Sequence, residues 1–235
     1  MLSDIQKEIR GLANPEKAKL LQRFFKTGKG QYGEGDVFLG VMVPQTRGVA
    51  KKYANAELND IRELLNSKFH EERLLGLIIL NLKFKKAKND SFARRTMFEF
   101  YLKNTNRINN WDLVDLSAPN IVGEFLQTED TVILKSLAKS QNIWERRISI
   151  VSTFPFIKKR NFGETLAISE LLINDEHDLI HKAVGWALRE VGKKNKNVLE
   201  LFLQQRYKEM PRTMLRYAIE KFPEEERRRY LKGEI

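Results

Sequence analysis

A cationic residue leading into an apolar helical run recurs along this chain at near-constant spacing. It occurs as Arg73-Leu74-Leu75-Gly76-Leu77, Arg147-Ile148-Ser149-Ile150, Lys182-Ala183-Val184-Gly185-Trp186 and Arg216-Tyr217-Ala218-Ile219. From Arg147 to Lys182 is 35 residues, and from Lys182 to Arg216 is 34. The gap from Arg73 to Arg147 is 74 residues, which leaves room for one further unit containing Trp111 to Asp115. A period of this size built from two helices predicts an α-solenoid, because each helix pair buries its apolar face only by stacking on the next. A plain helical bundle is the alternative architecture.

The local patterns agree with an all-α chain. Apolar residues three and four apart predict helices over residues 57–66, 71–86, 91–103, 111–126, 130–139, 143–158, 163–173, 178–193, 198–207 and 212–222. Upstream, residues 3–10 form one more. Asn14-Pro15-Glu16-Lys17 starts the next, with Asn14 as cap and Pro15 in the first turn. That helix runs to about Lys26 and offers Leu20, Leu21, Phe24 and Phe25 to the core. Thr27 to Gly35 is glycine-rich but lacks the Gly-Lys-Ser/Thr ending of a phosphate loop, so it reads as a flexible loop. Pro44 opens another helix, and Val37 to Val41 is the one tempting strand. No linker divides the chain, which predicts a single domain over 1–235.

Charge narrows the partner. Lys and Arg outnumber Asp and Glu by 42 to 31, a formal net charge of +11. That favours a polyanion, nucleic acid first. The cations cluster at 83–107 and 146–160 and at Lys193, Lys194 and Lys196. The repeat sets Arg147 and Lys182 at equivalent positions of successive inner helices, with Arg189 further along the second, so a concave basic face would track a phosphate backbone. Arg227-Arg228-Arg229 reads as the solvated end of the chain. With no cysteine, disulfides, thiolate zinc and a cysteine nucleophile are excluded. His70, His177 and His181 lack metal-ligand spacing, so neither metal nor other cofactor is expected. The first residues read as a polar amphipathic helix rather than a secretory signal, and no apolar run reaches the length of a membrane span. A soluble, intracellular, cytoplasmic monomer is the expectation.

The chemistry is best sought at Asn109 to Asp115. Trp111 and Asp115 are four apart and share a helical face. An indole beside a carboxylate can hold a cation. The structural readings are plain as well. Each tryptophan fits a core, Asp115 fits a cap over Leu116 to Pro119, Asp112 suits the first-turn dipole, and Arg147 fits an internal ion pair.

Five segments together resemble the AlkD-like DNA alkylation repair proteins. They are Phe24-Phe25-Lys26-Thr27-Gly28, Gly35 to Val41, Trp111 to Asp115, Asn142 to Arg147 and Gly185 to Glu190. The resemblance covers nearly the whole chain in order. It implies a superhelix of HEAT-like two-helix repeats and a glycosylase that removes positively charged N3- and N7-alkylpurines from double-stranded DNA without flipping the base. It implies Asp115 as the catalytic carboxylate, Trp111 and Trp186 lining the deoxyribose of the lesion, and Arg147 holding the nearby backbone. Arg47 and Arg189 would touch phosphates. Phe24 stands where well-characterised relatives carry a tyrosine, which keeps a ring against the DNA and removes its hydroxyl. Non-catalytic branches of the family exist. A non-catalytic binder of distorted or branched DNA is therefore the alternative, and a protein-interaction scaffold a third reading.

Overall fold

The computed structural model describes all 235 residues. They divide into two compact units, Met1–Ser117 and Ala118–Ile235. Both are helical. The tempting strand contributes only an isolated parallel bridge between Val37 and Phe69. No helix is long and apolar enough to cross a membrane.

The first unit holds α1 (Leu2–Gly11), α2 (Pro15–Phe24), α3 (Val43–Lys52), α4 (Leu58–Leu65), α5 (His70–Lys86), α6 (Ser91–Lys103) and α7 (Trp111–Ala118), the last crossing the boundary by one residue. Its centre is α5, buried on every side from His70 to Leu80, with α3, α4 and α6 packed around it. A helix this apolar all round has no solvent face to offer. Its four leading residues, His70 to Arg73, are ionisable and buried nonetheless.

As expected, Asn14 caps α2, its side chain accepting the Lys17 N–H at 3.0 Å. The expectation that Leu20, Leu21, Phe24 and Phe25 enter the core is corrected. Only Phe25 is buried, while Leu20 and Phe24 are each 63 % exposed. The two exposed side chains are four apart on one side of a helix that buries none of its residues. The glycine-rich loop also differs from expectation. It folds back on the end of α2, where Lys26 takes a left-handed φ of 51°, and the Gly33 N–H bonds to the Lys26 carbonyl. Gly40, at φ 81°, lies so close to α2 that a Cβ would collide with the Asn14 carbonyl oxygen. Only glycine satisfies both demands.

The second unit opens with a π-helical turn, Pro119–Gly123, and continues through α8 (Glu124–Leu126), α9 (Val132–Ala138), α10 (Ile143–Val151), α11 (Phe154–Lys158), α12 (Gly163–Leu171), α13 (Asp178–Lys194), α14 (Lys196–Arg206), α15 (Arg212–Ala218) and α16 (Glu224–Lys232). Here α10 packs on α13 and α13 on α15, so the helices carrying Arg147, Lys182 and Arg216 lie side by side. Behind them α9 packs on both α10 and α12. The periodicity thus becomes a stack of helix pairs.

Two helix limits depart from the sequence reading for the same reason. Residues 143–158 form two helices because Pro155 has no N–H for the Val151 carbonyl, and its ring crowds that oxygen. Pro119 likewise withholds the N–H that a regular helix would give the Asp115 carbonyl, and the run widens into the π-turn. Helix α16 was not foreseen. Glu224 to Glu226 at its start and Arg229 and Lys232 at its end suit the helix dipole, and Tyr230 anchors it against Tyr207 and Phe222.

Two glycines give opposite expectations. A Cβ on Gly185 would lie 2.5 Å from the Met214 carbonyl oxygen and 2.5 Å from the Tyr217 Cβ, where α13 meets α15. Gly185→Ala should therefore lower stability by about 1–3 kcal/mol. Gly48, inside α3, faces open space, and Gly48→Ala should raise stability by about 0.5–1 kcal/mol. Urea unfolding midpoints of the two variants check the pair.

Candidate active site

Four buried ionisable side chains head α5, and each is neutralised from another element. Glu72 receives Arg10 of α1 at 2.6 Å. Glu71 accepts three backbone N–H groups of the loop entering α3, from Leu39 at 2.9 Å, Gly40 at 2.8 Å and Val41 at 3.2 Å. Arg73 donates to Asp36 at 2.6 Å and to the Ser67 carbonyl at 3.0 Å. His70 stands between two carboxylates, with Nδ1 at 3.3 Å from Asp36 and Nε2 at 2.8 Å from Asp112. Asp36 also accepts from Asn109 at 3.3 Å and Asn110 at 3.2 Å. These bonds tie the loop, the start of α5 and the start of α7 into one cluster.

Burial pushes the His70 imidazole down, but Asp112 and then Asp36 overcome it and carry its pKa up to about 9. Burial pushes the Asp36 carboxyl up, and His70, Arg73 and Asn110 more than reverse this, holding it below its usual value. Both groups are charged at neutral pH.

An aromatic stack rises from His70. The Phe38 ring lies on the imidazole at 4.5 Å and 21°, Phe25 on Phe38 at 5.0 Å and 18°, and Trp111 on Phe25 at 5.2 Å and 22°. The Phe24 ring meets the indole edge-on at 5.9 Å. The indole N–H donates to the Tyr32 hydroxyl at 3.3 Å. Trp111 is therefore held on one face and at its N–H, and it remains partly exposed.

One turn further along α7, Asp115 is also partly exposed. Helix α7 runs straight through it, and Asn110 makes the capping bond, accepting the Trp111 N–H at 2.9 Å. The reading of Asp115 as a cap is thereby set aside. Its charge reaches the buried Tyr101, whose phenol is pushed up first by burial and further by Asp115. Tyr101 bonds to Ser117 at 2.9 Å, and Ser117 donates to the Leu113 carbonyl, so the back of α7 is pinned. Asp112 does more than meet the dipole, since it holds His70.

In the second unit, the Trp186 ring packs on Phe154 at 4.4 Å and stays partly exposed. Arg147 is only 5 % exposed and donates to the Leu179 carbonyl at 2.7 Å, so it presents little surface to a ligand. Arg146, expected in a basic surface cluster, is instead bound to Asp175 at 2.6 Å. Lys182 pairs with Asp178 at 2.6 Å, and Arg189 pairs with Glu220. Arg47 is exposed on α3. No group of three His, Asp or Glu residues is arranged to hold a metal ion.

Sequence reasoning overlooked Asp36, His70 and Tyr32. A signal was present for His70 but not for Asp36. Ionisable residues in the run His70-Glu71-Glu72-Arg73, directly before an all-apolar helix, must be buried and therefore paired. Tyr32 gave no comparable signal, being one aromatic residue in a loop of glycines.

The family described as "DNA alkylation repair enzyme" matches residues 5–222. A search of the curated proteins finds no match. Among solved structures, a predicted DNA alkylation repair enzyme from Enterococcus faecalis is similar with a TM-score of 0.68 at 16% identity, over 90% of this chain and 97% of that one. AlkD2 from Streptococcus mutans is similar with a TM-score of 0.57 at 16% identity, over 89% and 98%. At this identity the likeness bears on the fold, an all-α helical repeat.

The cluster predicts a two-sided pH profile of stability. The His70 pKa is raised from 6.5, so its contribution is complete below that value and is lost as pH rises through about 9. By linkage the loss amounts to about 3 kcal/mol. The Asp36 pKa is depressed from 3.8, so its contribution is present above that value and is lost as pH falls further. Urea unfolding against pH should show the alkaline loss in the wild-type chain, and a much flatter alkaline limb in His70→Gln.

Proposed function

The chain belongs to the DNA alkylation repair enzyme family, and from that premise we propose that it is a monofunctional DNA glycosylase. Its substrates are N3- and N7-alkylated purines in duplex DNA, and it hydrolyses their N-glycosidic bonds while the lesion stays in the stack. The observation that carries this reading is the anchored Trp111 indole with Asp115 one turn away on α7. In the same proposal residues 1–235 act as one functional domain, as a monomer, inside the cell.

The chemistry asks little of the protein. An N3- or N7-alkylpurine already carries a positive charge. When its glycosidic bond breaks, the bonding pair neutralises the departing base, and no acid is needed to protonate it. Positive charge moves to the sugar, whose transition state is oxocarbenium-like. Asp115 stabilises that charge and orients a water, whose oxygen bonds to the anomeric carbon while its proton passes to the carboxylate. The indole face of Trp111 stabilises a nearby cation by roughly 0.5–2 kcal/mol. Its stack on Phe25 and bond to Tyr32 hold that face without rearrangement during the reaction.

The remaining roles rest on the family resemblance and on charge. Trp186 supplies a second indole to the lesion's sugar. Arg47, Lys182 and Arg189 meet phosphates, the last two by exchanging their carboxylate partners for DNA. Phe24 lies against the strand as an exposed ring. Arg147, being buried, acts on the backbone mainly through its field.

The test is release of free base from duplex DNA carrying N7-methylguanine or N3-methyladenine. The intact protein should release the base without cutting the strand, and Asp115→Asn should slow release by about 100-fold or more. No release by the intact protein, or undiminished release by the variant, would defeat the assignment. Salt-sensitive DNA binding without release would favour the non-catalytic binder instead.

A further inference from the structure

His70 lies outside every role assigned so far, yet its contacts converge on Trp111 by two routes. Through Nε2 it holds Asp112, the residue next to Trp111 in the first turn of α7. Through its ring face it carries the Phe38, Phe25 and Trp111 stack. Its other nitrogen faces Asp36, which also binds Asn109 and Asn110, the two residues immediately before Trp111. A neutral imidazole has one N–H and one lone pair. With a carboxylate oxygen at each nitrogen, the neutral ring would turn its lone pair towards an anion. The geometry itself therefore calls for the doubly protonated cation.

We propose that the His70 imidazolium is a positioning residue for the candidate active site, fixing the Trp111 indole and the first turn of α7 through Asp36, Asp112 and the aromatic stack. Every charge facing it is accounted for. Asp112 comes from α7 and Asp36 from the loop before α3, while Arg73 on its own helix repels the imidazolium and is itself paired with Asp36. Neighbouring Glu71 and Glu72 are taken up by the loop N–H groups and by Arg10. The two cations and two carboxylates of the cluster balance. Loss of the His70 proton leaves a neutral ring between buried Asp36 and partly buried Asp112, and the charge that restrains Asp112 is lost. The indole then keeps its own contacts with Phe24, Phe25 and Tyr32 but loses the restraint that reached it through α7.

The consequence for catalysis rests on the glycosylase reading, whereas the positioning does not, so two readouts separate them. The first is fluorine NMR of the full chain labelled with fluorotryptophan, its three tryptophans giving three signals and Trp111 identified by its loss in Trp111→Phe. The Trp111 signal should move with a midpoint near the His70 pKa of about 9, while those of Trp144 and Trp186 stay still. The midpoint should fall by about one pH unit or more in Asp112→Asn, which removes the favouring charge. Tyr32→Phe should keep the transition, and His70→Gln should abolish it. A Trp111 signal that is flat through alkaline pH in the wild-type chain, or that moves equally in His70→Gln, overturns the proposal. The wild-type titration keeps the test open even if a variant fails to fold.

The second readout is single-turnover base release at neutral pH. His70→Gln should lower the rate about 10-fold or more by loosening the site, with DNA affinity unchanged. A loss confined to affinity overturns the positioning role. Absence of release from every variant, with the fluorine transitions intact, overturns the glycosylase reading and leaves the positioning of Trp111 standing.

Discussion

Burying the ionisable head of an apolar helix is the constraint on which the first unit depends. From His70 to Leu80 helix α5 has no solvent face, so His70, Glu71, Glu72 and Arg73 go inside with it. A buried charge without a partner is too costly to persist, and each must find its opposite or a set of N–H donors. The partners come from α1, the loop before α3 and the first turn of α7. One energetic demand thereby sets the course of a long irregular loop and the entry angle of the helix that carries Trp111 and Asp115.

The aromatic stack is the apolar counterpart of that cluster. Flat rings on His70 fill the space between the loop and α7, and each ring fixes the next. An indole seated this way keeps a single orientation, which a transient cation rewards. Phe24, at the rim, is an exposed ring with no hydroxyl. Tyr32 supplies a hydroxyl to the indole N–H from elsewhere in the loop. A polar contact and an aromatic contact to the same indole thus come from two residues eight positions apart in the chain.

In the second unit the same economy governs the cations. Arg146 serves Asp175, Arg147 serves the Leu179 carbonyl, Lys182 serves Asp178, and Arg189 serves Glu220. Several of these bonds link one helix pair to the next, so the regular spacing of cations partly records how the repeat is stapled together. A high net positive charge speaks for a polyanion partner. It does not say which cations are free to meet it.

The helices, their repeat and the shared face of Trp111 and Asp115 were legible in the sequence, because they follow from periodicities of about 3.6 residues and of one helix pair. The helix breaks at Pro119 and Pro155 were missed, although the N–H that each proline lacks is a purely local cause. Other features required the tertiary structure. Leu20 and Phe24 share an apolar pattern with Phe25, but only Phe25 is enclosed, between His70 of α5 and Trp111 of α7, while Phe24 meets the indole edge-on and stays exposed. His70 meets Asp36 and Asp112 across 34 and 42 residues of chain, and no local pattern encodes a pairing at that range. The sequence by itself determined where most helices lie and which faces most of them bury, the face of α2 and the helix α16 being the exceptions. Which buried charges meet, and so how Trp111 is held, was decided only when the helices packed, because pairing energy depends on distance in space rather than separation along the chain.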